Sequence, residues 1–201
     1  MSFTRKGFAL AKSRGAPYST VTLPVVATAN NAYYLNDAVK MEQAGATGKV
    51  ERVTASSAIL AGVVVAAYKN VGGQKRPLTH SQPTNGPYLT SGQAGFVEVI
   101  TDPRALFIAA IDTSASAGLT GKYVQVTAGA PNQSSGLSGM GLKASTATAA
   151  NVAYATAGQT IFSRTFQIVA VSDFEIAQYG RGIDVPADGG VLVKLANPFY
   201  S

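Results

Sequence analysis

Short apolar runs separated by clusters of turn residues set the pattern of this chain from Tyr18 onward. Over Phe162 to Val171 the residues Phe162, Arg164, Phe166, Ile168 and Ala170 share one face, while Thr165, Gln167 and Val169 share the other. Tyr123-Val124-Gln125-Val126-Thr127 alternates in the same way. A period of two sends successive side chains to opposite faces, so both segments read as strands with one buried side. Val191 to Leu195 reads as a final strand, ended by Asn197-Pro198. The run Ala58 to Tyr68 does not alternate and reads as a strand buried on both faces, closed by a turn over Lys69 to Gly73. Further strands are expected at Ser19 to Val26, Ala32 to Leu35 and Val50 to Val53.

The stretch Gly95 to Asp112 is the centre of the pattern. Val97 and Val99 alternate with Glu98, Thr101-Asp102-Pro103 supplies turn chemistry, and a second apolar run follows from Ala105 to Ile111. Proline fixes its own φ and pushes the preceding aspartate out of helical space, so the two runs read as strands entering one core. A helix starting at Arg104 is the competing reading. One short helix is expected over Asp37 to Ala44, with Asn36 as its N-cap and Gly45 just past its end. The candidate core comprises Phe96, Val97, Val99, Leu106, Phe107, Phe166 and Ile168.

Between these elements lie irregular segments: residues 76 to 95 with three prolines and three glycines, 112 to 121, and the Gly/Ser loop 128 to 141. No fixed-period repeat or heptad is present. The fold expected is mainly β, a β-barrel or β-sandwich of short strands with long Gly/Ser loops.

Composition sharpens the picture. At 201 residues with 46% apolar side chains, one domain with a sizeable core is expected. Charged residues are only 13%, about half the usual quarter, which suits a surface that packs against neighbours. There are no cysteines, so disulfides, thiolate metal sites and cysteine nucleophiles are excluded. The N-terminal apolar stretch Gly7 to Ala11 is interrupted by Lys12 and Arg14, and no apolar run approaches the length of a bilayer. A protein made soluble in the cytoplasm, without a membrane segment, is therefore expected.

The charge is uneven. Arg5, Lys6, Lys12 and Arg14 precede the first acid, Asp37, and carry four of the six net positive charges. Gly7, Gly15, Pro17 and Pro24 disfavour a continuous helix there. Residues 1–24 are therefore expected to form an extended basic arm, with 25–201 as a single β-rich body that folds without it. Phe3, Phe8 and Tyr18, together with the four basic residues, are its candidate partner-binding side chains. Nucleic acid is disfavoured as the partner, because its binders usually spread basic charge along a whole face and here the body is nearly neutral.

Candidate chemistry is sparse. His80 is the single histidine and has no acid nearby in sequence to orient it as a base. Asp102, Asp112, Asp173, Asp184 and Asp188 are scattered, each where a turn favours aspartate. Gly118 to Lys122 and Gly136 to Gly141 lack the spacing of phosphate-binding loops. No enzyme activity, metal or cofactor is expected.

Several segments, in order, resemble the small head decoration or cement proteins of tailed bacteriophages. They are Arg76-Pro77-Leu78-Thr79-His80-Ser81-Gln82, Gly95-Phe96-Val97-Glu98-Val99, Asp102-Pro103-Arg104-Ala105-Leu106-Phe107, Ser138-Gly139, Leu142 to Thr146, and Val191 to Asn197. The resemblance spans roughly residues 60 to 199. Ala109-Ala110 departs from it, since the family usually continues there with a more polar alternating strand. It implies a virion protein on the capsid exterior, a trimer or dimer that binds the major capsid protein and bridges neighbouring coat subunits. Two other classes share the composition: a phage tail component, and a glycan-binding adhesin using Tyr33, Tyr34 and Tyr88.

Overall fold

The computed structural model describes residues 7–11, 18–28, 31–42, 48–53, 60–78, 87–113, 116–151, 153–156, 159–162, 165–171 and 190–196. Two antiparallel sheets pack face to face as a sandwich. The strands in chain order are β1 (Ala9–Leu10), β2 (Thr20–Pro24), β3 (Ala38–Met41), β4 (Val50–Arg52), β5 (Leu60–Val71), β6 (Gln74–Pro77) and β7 (Gly95–Ile100). They continue as β8 (Leu106–Ala110), β9 (Tyr123–Thr127), β10 (Gly141–Thr148), β11 (Ala153–Thr156), β12 (Gln159–Phe162), β13 (Phe166–Ala170) and β14 (Gly190–Leu195). One sheet has the order β1-β8-β14-β13-β9-β10; the other runs β2-β7-β5-β3-β4, with β6 also paired to β5. Strands β11 and β12 pair as a separate hairpin.

The choice left open between barrel and sandwich falls to the sandwich. A parallel bridge joins Ile111 to Leu142, and the Asp112 amide donates to the Leu142 carbonyl at 3.0 Å. That single bridge bends β10 back toward the end of β8 without continuing as a ladder, so the sheet does not close on itself.

Burial explains which runs alternate. The core between the sheets takes Phe107, Val124, Val126, Phe166, Ile168 and Val193 from one side and Leu60, Val63 and Ile100 from the other. On β13 the side chains alternate between buried and half-buried, as its period requires. Strand β8 loses the alternation because both its faces are covered. Phe107 and Ala109 enter the main core, while Ile108 packs with Leu192, Ala170 and Ala11 in a smaller cluster on the other face. This places Ala109-Ala110 in a doubly buried strand and rules out the helix from Arg104.

The second sheet is likewise buried on its far face. Leu23, Val39, Ala61, Val64, Val97 and Val99 pack there beneath Tyr33 and Leu89. Those two residues exchange backbone hydrogen bonds of 2.9 Å in each direction. Strand β5 crosses both clusters, and its first five residues are all buried.

Three expectations need correction. Of the helix expected over Asp37 to Ala44, Ala38–Met41 is strand β3 and 43–44 lie outside the described residues: Asn36 adopts φ 67°, a left-handed turn conformation rather than the extended one of an N-cap. Ala38 and Val39 then point into opposite apolar clusters, which only a strand allows. The segment Ala32 to Leu35 makes only isolated bridges at Tyr33 and Leu35. Phe96 and Leu106 are half-buried rather than core, a face error on otherwise correctly placed strands.

Parts of the N-terminal segment belong to the sheets. Leu10 pairs with Phe107 on β8, and Thr20 to Pro24 pairs residue for residue with Ile100 to Phe96 on β7. The described parts of residues 1–24 thus add an edge strand to each sheet, so Ala9–Leu10 and Thr20–Pro24 pair with strands of the body.

Candidate interaction surface

Strand β5 is twelve residues long, and its last part leaves the sandwich. Beyond Ala67 it continues as a hairpin with β6, with Tyr68 opposite Pro77, Lys69 opposite Arg76, Asn70 opposite Lys75 and Val71 opposite Gln74. Gly72 and Gly73 close it with φ of 61° and 83°, the two positive values that a two-residue type I′ turn needs. This turn matches the right-handed twist of the strands, so the hairpin continues the sheet outward. Asn70 to Pro77 are all exposed.

The hairpin is basic on both faces. Lys69 and Arg76 sit directly opposite each other on the face that continues from Ala67 and Leu78, and Val71 beside them is 45% exposed. Like charges in cross-strand register repel, at a cost of some tenths of a kcal/mol. Among the described residues, no acid forms an ion pair with Lys69, Lys75 or Arg76. On the other face the Lys75 ammonium lies 5.6 Å from the centre of the Phe96 ring. Phe96 is also the cross-strand neighbour of Tyr68, whose hydroxyl donates to Glu98 Oε2 at 3.0 Å. That bond holds the Tyr68 pKa above its ordinary value. The free edge of β6 carries Lys75 and Pro77, residue types that oppose addition of a further strand.

The buried charges serve the fold. Asp37 is fully buried, and its Oδ2 accepts the Tyr34 amide at 2.9 Å and stands 3.0 Å from Arg52 Nε. Burial raises its pKa, against the lowering effects of Arg52, the Ser138 hydroxyl and the Tyr34 amide. Arg52 in turn lies 5.7 Å from the centre of the Tyr34 ring, which stacks on Tyr88. This cluster pins the turn before β3 to β4. At the turn before β8, Asp102 caps the chain by accepting from the Arg104 amide at 2.8 Å and from its guanidinium at 3.0 Å and 3.1 Å, which lowers its pKa.

The residues singled out from the sequence separate into three groups. Phe8 is fully buried, stacked on Phe166 with ring centroids 4.2 Å apart, so it is a core residue and not a partner anchor. Its amide donates to the Asn36 carbonyl at 2.9 Å. Tyr18 is half-buried against the main core and donates to the Ala11 carbonyl at 3.2 Å. Phe3, Arg5, Lys6, Lys12, Arg14 and His80 lie outside the described residues. The tyrosines expected for an adhesin, Tyr33, Tyr34 and Tyr88, are 0%, 4% and 9% exposed and offer no sugar-stacking platform. Among the described residues there is no group of three or more metal-ligating side chains, and no helix is long and apolar enough to cross a membrane.

Comparison of the chain with protein-family models, with curated proteins and with solved structures finds no match in any of the three. The surface has to be read from its own chemistry. The basic hairpin escaped the sequence reading because Lys69 to Gly73 looked like the end of β5 rather than its continuation. The pair Gly72-Gly73 followed by Gln74 to Pro77 was the available signal for a hairpin.

Proposed function

We propose that this protein is a structural subunit of a bacteriophage head, binding the outer surface of the shell and bridging neighbouring coat subunits. The observation that carries this reading is the pairing of a doubly buried sandwich with an exposed basic hairpin on a low-charge surface. A rigid body with a charged projection can make a contact, and repetition of that contact over a symmetric shell multiplies its strength through effective concentration. The segments resembling decoration proteins support the same reading, since they include β7, β8, β10 and β14, the strands around the main core. Arg5, Lys6, Lys12 and Arg14 are further candidates for the contact with the major capsid protein. The mechanism is mechanical: bridged subunits are harder to separate under the pressure of the packaged genome. No covalent step, metal or cofactor enters it.

The test is to purify particles and quantify the chain in them, then compare particles made with and without it. The expected result is a fixed number of copies per coat subunit and earlier genome release on heating when the chain is missing. Absence of the chain from purified particles would overturn the proposal.

A further inference from the structure

We infer that the outer end of the β5–β6 hairpin is a docking surface for an acidic patch on a neighbouring protein. Lys69 and Arg76 supply the charge and Val71 the apolar contact. The inference names the contact for the shell-binding reading above and rests on it for its setting.

Three observations lead to it. Lys69 and Arg76 face each other across the hairpin, and no described acid forms an ion pair with either. An acidic group bridging them removes a repulsion that the free protein carries, so binding gains twice from one contact. Val71, 45% exposed on the same face, adds an apolar side chain that edge protection alone does not require. The turn residues Gly72 and Gly73 have open space where a side chain would stand, so a partner approaches the backbone closely.

The same geometry selects the class of partner. The β6 edge carries Pro77, which has no N–H, so the contact is made by side chains on the hairpin face and not by strand addition. Three cations and one valine are few for a nucleic-acid interface, where affinity grows with the number of phosphates neutralised. An acidic protein surface with an apolar centre fits both the charge and Val71.

The test uses the full chain and poly-L-glutamate as the acidic polypeptide probe, titrated at low and physiological ionic strength. The double variant K69Q/R76Q is compared with K122Q/K143Q, which removes the same charge elsewhere. Two exposed ion pairs at the upper end of the surface range predict a loss of about thirtyfold for K69Q/R76Q, against less than about twofold for the control. V71S weakens binding by an amount that salt does not change. Thermal unfolding of each variant, expected to match the parent, separates loss of contact from loss of fold. Equal losses in the two double variants would overturn the inference, as would duplex DNA binding the hairpin more tightly than polyglutamate at matched charge. Copies of the chain can still be counted on particles if the titration fails, and a hairpin-dependent titration can succeed if they are not found there, so the two readings fall separately.

Discussion

The two halves of β5 are one strand with two environments. From Leu60 to Val64 every residue is buried, divided between the core shared by the sheets and the cluster beneath Tyr33 and Leu89. From Asn70 to Val71 and across the turn to Pro77 every residue is exposed. The first half owes its order to apolar area removed from water, roughly 25 cal/mol per Å². The second is held by its ladder, its turn, a lysine over a ring and the hydrogen bonds of Asn70 with Ala94 and Gly73, with little apolar burial, and it carries a like-charge pair that opposes folding. Stability and recognition are therefore divided along a single strand.

The largest effect that sharpens this contrast belongs to the buried side. Phe8→Ala removes a ring stacked on Phe166 and should cost roughly 3–5 kcal/mol in equilibrium unfolding, transfer and cavity contributions together. A cost below about 1 kcal/mol, the ordinary range for surface positions, would mean that residues 7–11 do not belong to the sandwich. Within β5, Leu60→Ala should cost roughly 2–5 kcal/mol for the same reason.

Next comes the pH dependence of the buried aspartate. Because burial raises the Asp37 pKa in the folded state, its contribution is fully present below the unfolded value of about 3.9 and is lost as pH rises through the folded value. Asp102 acts in the opposite direction: its lowered pKa contributes stability above the unfolded value, which is lost as pH falls through the folded one. Denaturant unfolding across this range should show the upper slope in the parent and not in Asp37→Asn. Above the folded pKa the Asn variant is also less stable, since Arg52 keeps its charge without its counter-ion; below it the parent carboxyl is neutral too and this difference shrinks. An unchanged slope would place the titration elsewhere.

The smallest effect belongs to the outer half. Lys69→Gln should leave stability within about 0.5 kcal/mol of the parent, or raise it by some tenths, because it relieves the repulsion with Arg76. A clear loss of stability would show that Lys69 supports the fold and would break the division along β5.

Much of the fold was legible because its signals are local. Phe166 and Ile168 alternate with polar neighbours, and Asp102-Pro103 marks a turn between two apolar runs, so β13, β7 and β8 could be placed without knowing their partners. What escaped depends on distant contacts. Asn36 looks like an N-cap until Val64 accepts its amide at 2.8 Å and Phe8 donates to its carbonyl, which fixes a turn instead. Phe8 itself, beside Arg5 and Lys6, looks like part of a charged arm until Phe166 stands against it. The candidate surface was hidden for a related reason: the basic residues at 69, 75 and 76 become a patch only through the hairpin register.

Amide hydrogen exchange along β5 tests the central claim most directly. In the free protein, the amides of Val63 and Val64 should exchange only through global unfolding, while those of residues 69–71 and 74–76 exchange through local opening. Adding poly-L-glutamate should slow exchange in the second group and leave the first unchanged. Equal protection in both halves of the free protein, or protection by the polymer centred anywhere but the hairpin, would contradict the account.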